Sequence, residues 1–181
     1  MLEGHFQLSS GKHSGVYVEK FRLLEHPIQT AGLCKMIADW AKKERLEPKV
    51  CAGPTTGGII LSYETARHLG LRSIIAEKRE GGGRAFGRGF VMRRGERTLV
   101  IDDVLTTGGS VRDVLDAVRN AGGVPVGVGV ILDRSGGRVD FAQTGAGSGG
   151  LPTFACLKLD LPTYEPNLCP LCEQGLPLTL T

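Results

Sequence analysis

The stretch VIDDVLTTGG, Val100 to Gly109, decides the fold and indicates the kind of ligand. An apolar run typical of a buried strand ends in two adjacent acids, Asp102 and Asp103, and small or hydroxylated residues follow. The turn into the next helix offers backbone N–H groups and a favourable dipole to an anion, so it fits a phosphate. The two carboxylates fit a neutral or cationic group attached to that phosphate, such as sugar hydroxyls or a metal. A ribose 5-phosphate has both parts.

The ordinary alternative is that Asp103 or Ser110 only caps the following helix. That interpretation is favoured for a single acid before a helix, but it is the weaker one for D-D-x-x-T-T-G-G-S after an apolar strand. The chain lacks G-x-x-x-x-G-K-[ST], and no G-x-G-x-x-G follows a strand. The sequence therefore predicts neither a nucleoside-triphosphate P-loop nor a dinucleotide site.

Strand and helix patterns alternate along the chain, which predicts an α/β fold with a parallel sheet. The runs KVCAG, RSIIAEK, RTLVIDDV, VPVGVGVILD and FACLKL predict strands. One helix is predicted from Pro27 into the charged run at Lys42, one before Gly70, and one over SVRDVLDAVRNAGG. The core-facing positions are predicted to be Leu33, Met36, Ile37 and Trp40 in the first helix, and Val111, Val114, Leu115 and Val118 in the third.

Composition places the chain among ordinary globular proteins. It has 181 residues, enough for one domain, and a net charge of +3, too small to argue for nucleic acid. No apolar run approaches the ~20 residues of a membrane span, and the first residues show no signal peptide. Five cysteines at scattered positions do not indicate a disulfide framework. We expect a cytoplasmic protein with no membrane partner.

The stretch around Asp102 and Asp103 resembles the phosphoribosyl-pyrophosphate (PRPP) motif of the type I phosphoribosyltransferases. The resemblance implies that family's fold, a central and mainly parallel sheet flanked by helices, with a small N-terminal hood. It implies one domain over 1–181, with the hood at 1–26, a mobile catalytic loop at 79–90 and a C-terminal tail at 163–181. It also implies that the acid pair binds the ribose hydroxyls and that Thr106 to Ser110 hold the 5-phosphate. The full PRPP set is Lys78, Arg79, Asp102, Asp103, Val104, Leu105, Thr106, Thr107, Gly108, Gly109 and Ser110.

Four further segments resemble orotate phosphoribosyltransferases: GHFQLSSGKHSGVYVEK, AGPTTGGIILSYETARHLG, VILDRSGG and CPLCEQGLPL. The resemblance implies transfer of phosphoribosyl from PRPP to orotate with Mg²⁺, in a homodimer whose loop serves the neighbouring site. Orotate carries a carboxylate, for which Arg134 can supply a planar fork, with a hydroxyl from Thr106 and ring stacking by Tyr17. Without the family match, a surface salt bridge is an equally good interpretation of Arg134.

The stretch REGGGRAFGRGF is basic and lacks the Lys-x-His pair of the better-known enterobacterial enzymes. Candidate cations for the pyrophosphate are Lys78, Arg79, Arg84 and Arg88, and Arg84 is predicted to close over the substrate. With the acid pair, Lys78, Arg79 and Arg84 form the predicted catalytic set. The alternative is a solvated basic loop or a nucleic-acid contact. Mg²⁺ is expected to bind mainly through substrate oxygens and water.

Two alternatives in function stay open: a purine or other base transferase, and a PRPP-binding regulator that contacts nucleic acid. The hood and Arg134 argue against the first, and the absence of room for a DNA-binding domain argues against the second. Cys169 and Cys172 form one C-x-x-C, whereas zinc usually needs two more ligands. Cys156 and a histidine, or a second subunit, are the candidates for these, but a reduced structural tail without metal is the default expectation.

Overall fold

The computed structural model describes residues 1–8, 10–141 and 150–180. The GAGSGG segment at 145–150, noted in the sequence as glycine-rich, lies almost wholly outside the described residues. In chain order the elements are β1 (Leu2–Gln7), β2 (His13–Tyr17), α1 (Phe21–Leu24), α2 (Pro27–Lys43), β3 (Val50–Pro54), α3 (Gly57–Leu69), β4 (Arg72–Lys78), β5 (Arg84–Phe86), β6 (Arg97–Leu105), α4 (Gly109–Asn120), β7 (Val124–Asp133), β8 (Thr153–Lys158), β9 (Thr163–Tyr164), α5 (Pro170–Glu173) and β10 (Leu178–Leu180), with a 3-10 turn at Pro166–Leu168.

Six strands form the central sheet in the order β5-β4-β3-β6-β7-β8. All neighbours are parallel except β5, which runs antiparallel to β4. β4 and β5 are added on one side of β3, whereas β6, β7 and β8 are added on its other side. This reversal of strand order opens a crevice beyond the carboxyl ends of β3 and β6, where ligands bind in such sheets. The predicted parallel α/β sheet is confirmed.

Helices cover both faces of this sheet, and the middle of its central strands is apolar. Leu99, Val100 and Ile101 in β6 are fully buried, as a central parallel strand requires. The core on one face contains the α4 stripe that the sequence predicted: Val111, Val114, Leu115 and Val118. The core on the other face contains residues of α2 and α3, among them Cys34, Ile37, Ala41 and Leu61.

The predicted inward face of α2 was partly wrong. The helix does begin at Pro27, but Met36 keeps 44% of its surface exposed. The buried positions are Thr30, Cys34, Ile37, Ala38 and Ala41. These buried positions are also spaced three and four residues apart, as a helix face requires. Most of them carry small side chains because α2 lies close against α3 and the sheet. Hydrophobicity alone favoured the larger Met36 over these smaller residues.

Residues from both chain ends form a second sheet, with strand order β10-β1-β2-β9. β1 and β2 are antiparallel, and β10 adds parallel to β1 with His5 opposite Leu178. The predicted hood and tail segments are therefore parts of one small sheet.

The segment 79–90, predicted to be a loop without regular structure, contains the strand β5. Arg84 pairs with Lys78, and the turn between them is closed by a hydrogen bond from the Arg79 N–H to the Gly83 carbonyl oxygen at 3.1 Å. Gly81, Gly82 and Gly83 all have positive φ, which this turn requires. Three residues are too short a run to show a strand period in sequence. The mobility of the segment stays a prediction.

Among the described residues, no helix combines the length and apolar character needed to cross a bilayer.

Candidate active site

A cavity of about 710 Å³ lies at the carboxyl edge of the central sheet, at the reversal of strand order. The loops after β3, β6 and β7 form its floor, and hood residues cover one side. Most of the residues predicted for the site line it, together with several that the sequence did not single out. The polar lining side chains include Tyr17, Lys20, Thr55, Thr56, Lys78, Arg84, Asp102, Asp103, Thr106, Thr107, Ser110, Arg134 and Arg138.

The acid pair at the end of β6 is almost fully buried, with Asp102 4% and Asp103 8% exposed. The backbone N–H of Asp103 donates to Asp102 Oδ1 at 2.8 Å, and that of Val104 donates to Asp103 Oδ1 at 2.7 Å. Burial, followed by repulsion from Asp103, raises the pKa of Asp102 to about 6, although the Asp103 N–H and the Ser110 hydroxyl oppose the rise. The pair therefore places two adjacent carboxylates in a buried position, which is unfavourable without a compensating cation or hydrogen-bond donors.

Asp103 is held against the loop that follows β3. A Cβ on Gly57 would lie 2.1 Å from Asp103 Oδ2, so only glycine permits this approach. The same oxygen forms an ion pair with Lys20 Nζ, at a distance of 2.8 Å. The end of β6, the start of α3 and the hood thus meet at one carboxylate.

The turn after β6 leads directly into α4. Gly108 has φ of 78° and stands immediately before the helix, which begins at Gly109 without a side-chain cap. The alternative that Asp103 or Ser110 serves only as a helix cap is therefore wrong. Thr106 and Thr107 are exposed at the cavity, and the helix amino end is open to an anion.

Leu105 differs from its predicted neighbours in the PRPP set. Its side chain is 1% exposed and packs in the core instead of lining the cavity. Its side chain lies in the same core cluster as Val111 and Val114 of α4. Its carbonyl oxygen instead accepts a 2.8 Å hydrogen bond from the Arg134 N–H, which fixes the start of the loop after β7.

Arg134 lines the cavity and is half-buried, and this burial lowers the pKa of its guanidinium. Its Nη2 is buried with no hydrogen-bond partner among the described residues. No ion pair involves Arg134 within the described part of the chain, so the alternative of a surface salt bridge finds no partner there. A desolvated, unsatisfied guanidinium favours an anionic ligand.

The cations of the β4–β5 hairpin occupy different positions. Lys78 lines the cavity, whereas Arg79 is exposed and lies outside the cavity lining. Arg84 also lines it, and its Nη1 donates to Thr55 Oγ1 at 3.1 Å and to the Ala76 carbonyl at 3.0 Å. Arg84 is therefore held in the cavity wall. The sequence had predicted it to be a closing residue on a mobile loop, and this structure shows it in a different arrangement.

Known proteins resemble this chain over nearly its whole length. A family model described as phosphoribosyl transferase domain matches residues 23–141. The orotate phosphoribosyltransferase of Thermotoga maritima is 48% identical over 177 residues, covering 98% of this chain and 89% of the relative. The chain belongs to the orotate phosphoribosyltransferase family.

Solved structures support the same fold. An orotate phosphoribosyltransferase from Aeropyrum pernix superposes with a TM-score of 0.69 at 24% identity, covering 87% of each chain. An adenine phosphoribosyltransferase from Rhodothermus marinus gives a TM-score of 0.59 at 22% identity, covering 76% of this chain and 83% of that one. Because enzymes named for different bases share the architecture, the fold alone does not choose the base.

Lys20 is the main site residue that sequence reasoning missed in this family member. It follows the predicted Tyr17 by three residues, and both line the cavity from the hood. A signal was present, because two buried adjacent carboxylates need a compensating cation. Nothing in the sequence indicated which of the 22 basic residues supplies it.

A second cavity, of about 470 Å³, lies at the amino ends of the central strands. Lys49, Arg72 and Glu96 are among its lining residues, and the last two form an ion pair. No residue predicted for the site lies there, and its position is opposite the edge where parallel sheets bind ligands.

Cys169 and Cys172 lie outside the active-site lining, next to His5 and His13. Cys156, the cysteine that the sequence offered as a possible companion, is elsewhere, with its Sγ 3.5 Å from the Leu33 carbonyl oxygen.

Proposed function

We propose that this chain transfers the phosphoribosyl group from PRPP to orotate, giving orotidine 5′-monophosphate and pyrophosphate in pyrimidine biosynthesis. One observation carries the choice of an acidic base: Arg134 lines the cavity that also contains the acid pair, and its buried Nη2 has no hydrogen-bond partner among the described residues. The chain's membership of the orotate phosphoribosyltransferase family supports the same conclusion.

The end of β6 and the start of α4 provide separate places for the two parts of PRPP. The open amino end of α4, with Thr106 and Thr107, fits the 5-phosphate. Asp102 and Asp103 fit the ribose hydroxyls, which donate hydrogen bonds to carboxylates. Both positions lie in one cavity, so one PRPP molecule can reach them together.

The reaction breaks the bond from the anomeric carbon to pyrophosphate and forms one to a ring nitrogen of orotate, which releases its proton to water. The ribose gains positive charge as the bond breaks, and the buried acid pair stabilises that charge from a fixed position. Lys78 and Arg84 are the cavity cations of the β4–β5 hairpin, and they are suited to the departing pyrophosphate.

Mg²⁺ belongs to the proposal because pyrophosphate leaves with several negative charges. The carboxylates among the described lining residues are those of Asp102 and Asp103, and the second is already paired with Lys20. This donor set fits an ion bound mostly by substrate oxygens and water. When bound, Mg²⁺ neutralises charge on the leaving group.

The base is held by residues from opposite sides of the cavity. Arg134 pairs with the orotate carboxylate, Thr106 adds a hydroxyl, and Tyr17 offers a ring for stacking. Tyr17 is supported by Phe6, whose ring centroid lies 5.6 Å away. A purine has no carboxylate, so it would leave Arg134 unsatisfied.

The proposal extends to a cytoplasmic homodimer with shared sites. Arg79 is exposed and lies outside the cavity of its own chain, which supports a role at the neighbouring site. Mixing inactive Asp103→Asn and Arg79→Ala proteins tests this. If Arg79 acts across the interface, subunit exchange restores about a quarter of wild-type activity, because half the dimers are mixed and each has one intact site. No recovery in a mixture shown to exchange subunits contradicts sharing through Arg79.

The activity is tested by following orotate absorbance with purified protein, PRPP and Mg²⁺, and by offering uracil, adenine, hypoxanthine and guanine separately. We expect absorbance loss with orotate that requires both PRPP and Mg²⁺. Asp103→Asn should reduce turnover strongly, and Asp116→Asn, the same change at an exposed position, should leave it unchanged. Turnover of a purine instead would overturn the assignment of the base, and PRPP binding without any turnover would favour a regulator.

A further inference from the structure

Four metal-binding side chains converge at the junction of the hood and the tail. His5, His13, Cys169 and Cys172 each offer one ligand atom, and these four atoms lie within 4.8 Å of one another. Three of the residues are buried, with His5 3%, His13 4% and Cys169 1% exposed. We infer that the four side chains bind one zinc ion that fastens the C-terminal tail to the hood.

The distances between the ligand atoms fit tetrahedral zinc. Bonds of about 2.05 Å to nitrogen and about 2.3 Å to sulfur place a nitrogen and a sulfur ligand about 3.6 Å apart, and two nitrogens about 3.4 Å apart. His5 Nε2 lies 3.5 Å from Cys169 Sγ and 3.7 Å from Cys172 Sγ. Cys172 Sγ lies 3.4 Å from His13 Nδ1, and the two ring nitrogens are 3.0 Å apart. These four separations are each within about 0.4 Å of the tetrahedral value, and the two other pairs of ligand atoms lie within 4.8 Å.

The local fold brings the two histidines to one face of the hood sheet. His13 is paired with Gln7 across β1 and β2. The β1–β2 register shifts between Glu3 and Phe6, and His5 lies in this irregular stretch, with its Nε2 3.0 Å from His13 Nδ1. The two rings meet edge to face at 4.9 Å between centroids.

The two cysteines are presented by a tight turn at the start of α5. The Cys172 N–H donates to the Cys169 carbonyl at 3.1 Å, which folds the C-P-L-C segment back on itself. The chain then passes Gly175, with φ of 68°, and enters β10, which pairs with β1. The turn that supplies both thiols is thus anchored to the strand that carries His5.

A further hydrogen bond sets the tautomer of His5. Its Nδ1 lies 2.8 Å from the carbonyl oxygen of Leu176, so Nδ1 carries the proton and Nε2 presents a lone pair to the cluster. A backbone carbonyl on the second ring nitrogen is the usual support of a zinc-bound histidine. Without a metal, His13 has to donate its own Nδ1–H to His5, and both thiols contact that pair.

Zinc matches the donor set better than the alternatives. Two thiolates and two imidazoles in tetrahedral arrangement are typical of structural zinc, whereas Mg²⁺ and Ca²⁺ prefer oxygen ligands. All four positions are filled by protein, so the site is closed and has no place for substrate. None of the four residues lines the active-site cavity. The ion stabilises the hood that carries Tyr17 and leads to Lys20.

The experiment measures metal in the whole protein by inductively coupled plasma mass spectrometry, after expression with added zinc and gel filtration. We expect about one zinc per chain in the wild type. Cys172→Ser should lose most of it, and Cys156→Ser, the same change at a half-buried cysteine outside the cluster, should keep it. Equal zinc in the two variants would overturn the site, as would iron in place of zinc or a Cys169–Cys172 disulfide in the purified wild type.

A second measurement on the wild-type sequence covers the case in which Cys172→Ser fails to fold. Protein stripped of zinc by a chelator is titrated with Co²⁺, which absorbs visible light strongly when bound tetrahedrally by thiolates. The proposal is supported if the protein saturates at one Co²⁺ per chain and its melting temperature rises by 2 °C or more. A rise of that size is expected when the free energy of unfolding increases by ~1 kcal/mol. Absence of the visible bands, or a melting temperature unaffected by either metal, refutes it.

Discussion

Replacing Asp102 with asparagine should stabilise the protein while impairing it as a catalyst. The carboxylate is 4% exposed and adjoins Asp103. Asparagine has almost the same shape and keeps one oxygen to accept the 2.8 Å hydrogen bond from the Asp103 N–H. The substitution therefore removes the buried charge and leaves most of the packing unchanged. Active sites commonly carry such a cost in stability.

The pKa of Asp102 gives the size of the effect. Burial and Asp103 raise it from the usual 3.8 to about 6. At about 1.4 kcal/mol for each pKa unit, the ionised carboxylate lowers the free energy of unfolding by roughly 3 kcal/mol above pH 6. Loss of its hydrogen bond with Ser110 and of attraction to Lys20 makes this an upper limit.

The sign of the pH dependence follows from the direction of that pKa change. Above pH 6 the carboxylate of Asp102 is ionised in both the folded and the unfolded chain, and burial of its charge lowers the free energy of unfolding by the full amount. Between pH 6 and about 4 the folded protein takes up a proton that the unfolded chain does not, so the wild type regains stability. The advantage of Asp102→Asn should therefore be greatest at pH 7–8 and disappear near pH 4.

Urea unfolding of both proteins at several pH values measures this difference. Asp116→Asn is the matched control, since Asp116 lies exposed beside Arg119, and its effect should be below about 0.5 kcal/mol. If Asp102→Asn were destabilising at pH 8, or if its advantage did not change between pH 8 and pH 4, the account of a buried, repelled carboxylate would be refuted.

Two further substitutions test the geometry of the site. Gly57→Ala places a Cβ 2.1 Å from Asp103 Oδ2. It should lower kcat, and it should lower the free energy of unfolding by about 1–3 kcal/mol. The control is Gly32→Ala in α2, where the added Cβ meets open space, and it should raise the free energy of unfolding by about 0.5–1 kcal/mol and leave the kinetics unchanged. Arg134→Lys loses the planar fork and should raise KM for orotate about 10-fold or more with little change in KM for PRPP, and an equal rise in both would contradict its assignment to the base.

The sequence predicted the central sheet well because each of its elements carries its own signal. In β6 the apolar run Leu99 to Ile101 precedes the acid pair, and α4 repeats valine and leucine at helical spacing, so each pattern identifies its element without knowledge of the neighbours. The position of Asp102 and Asp103 followed from one rule, that ligands bind at the carboxyl ends of parallel strands. Their burial in a cavity with Arg134 agrees with that rule.

Contacts that depend on distant segments could not be predicted in this way. Lys20 forms an ion pair with Asp103, which lies 83 positions later in the chain. The spacing of residues within one strand or helix does not indicate such a contact. The tail pairs with β1 through β10, a strand of only three residues, too short to identify from alternation. Arg84 lines the cavity, but its bonds to Thr55 and Ala76 depend on a hairpin that the glycine-rich sequence did not indicate.

The C-x-x-C pair shows why the missing partners matter. Sequence spacing identifies Cys169 and Cys172 as neighbours but cannot supply the other half of a four-ligand site. The histidines come from the opposite end of the chain, and each alone is an ordinary strand residue. The sheet that joins the two chain ends brings the four residues into one cluster, three of them buried, at the start of the strand that carries Tyr17. The hood strands that border the candidate site are therefore joined to the tail by residues outside the cavity lining.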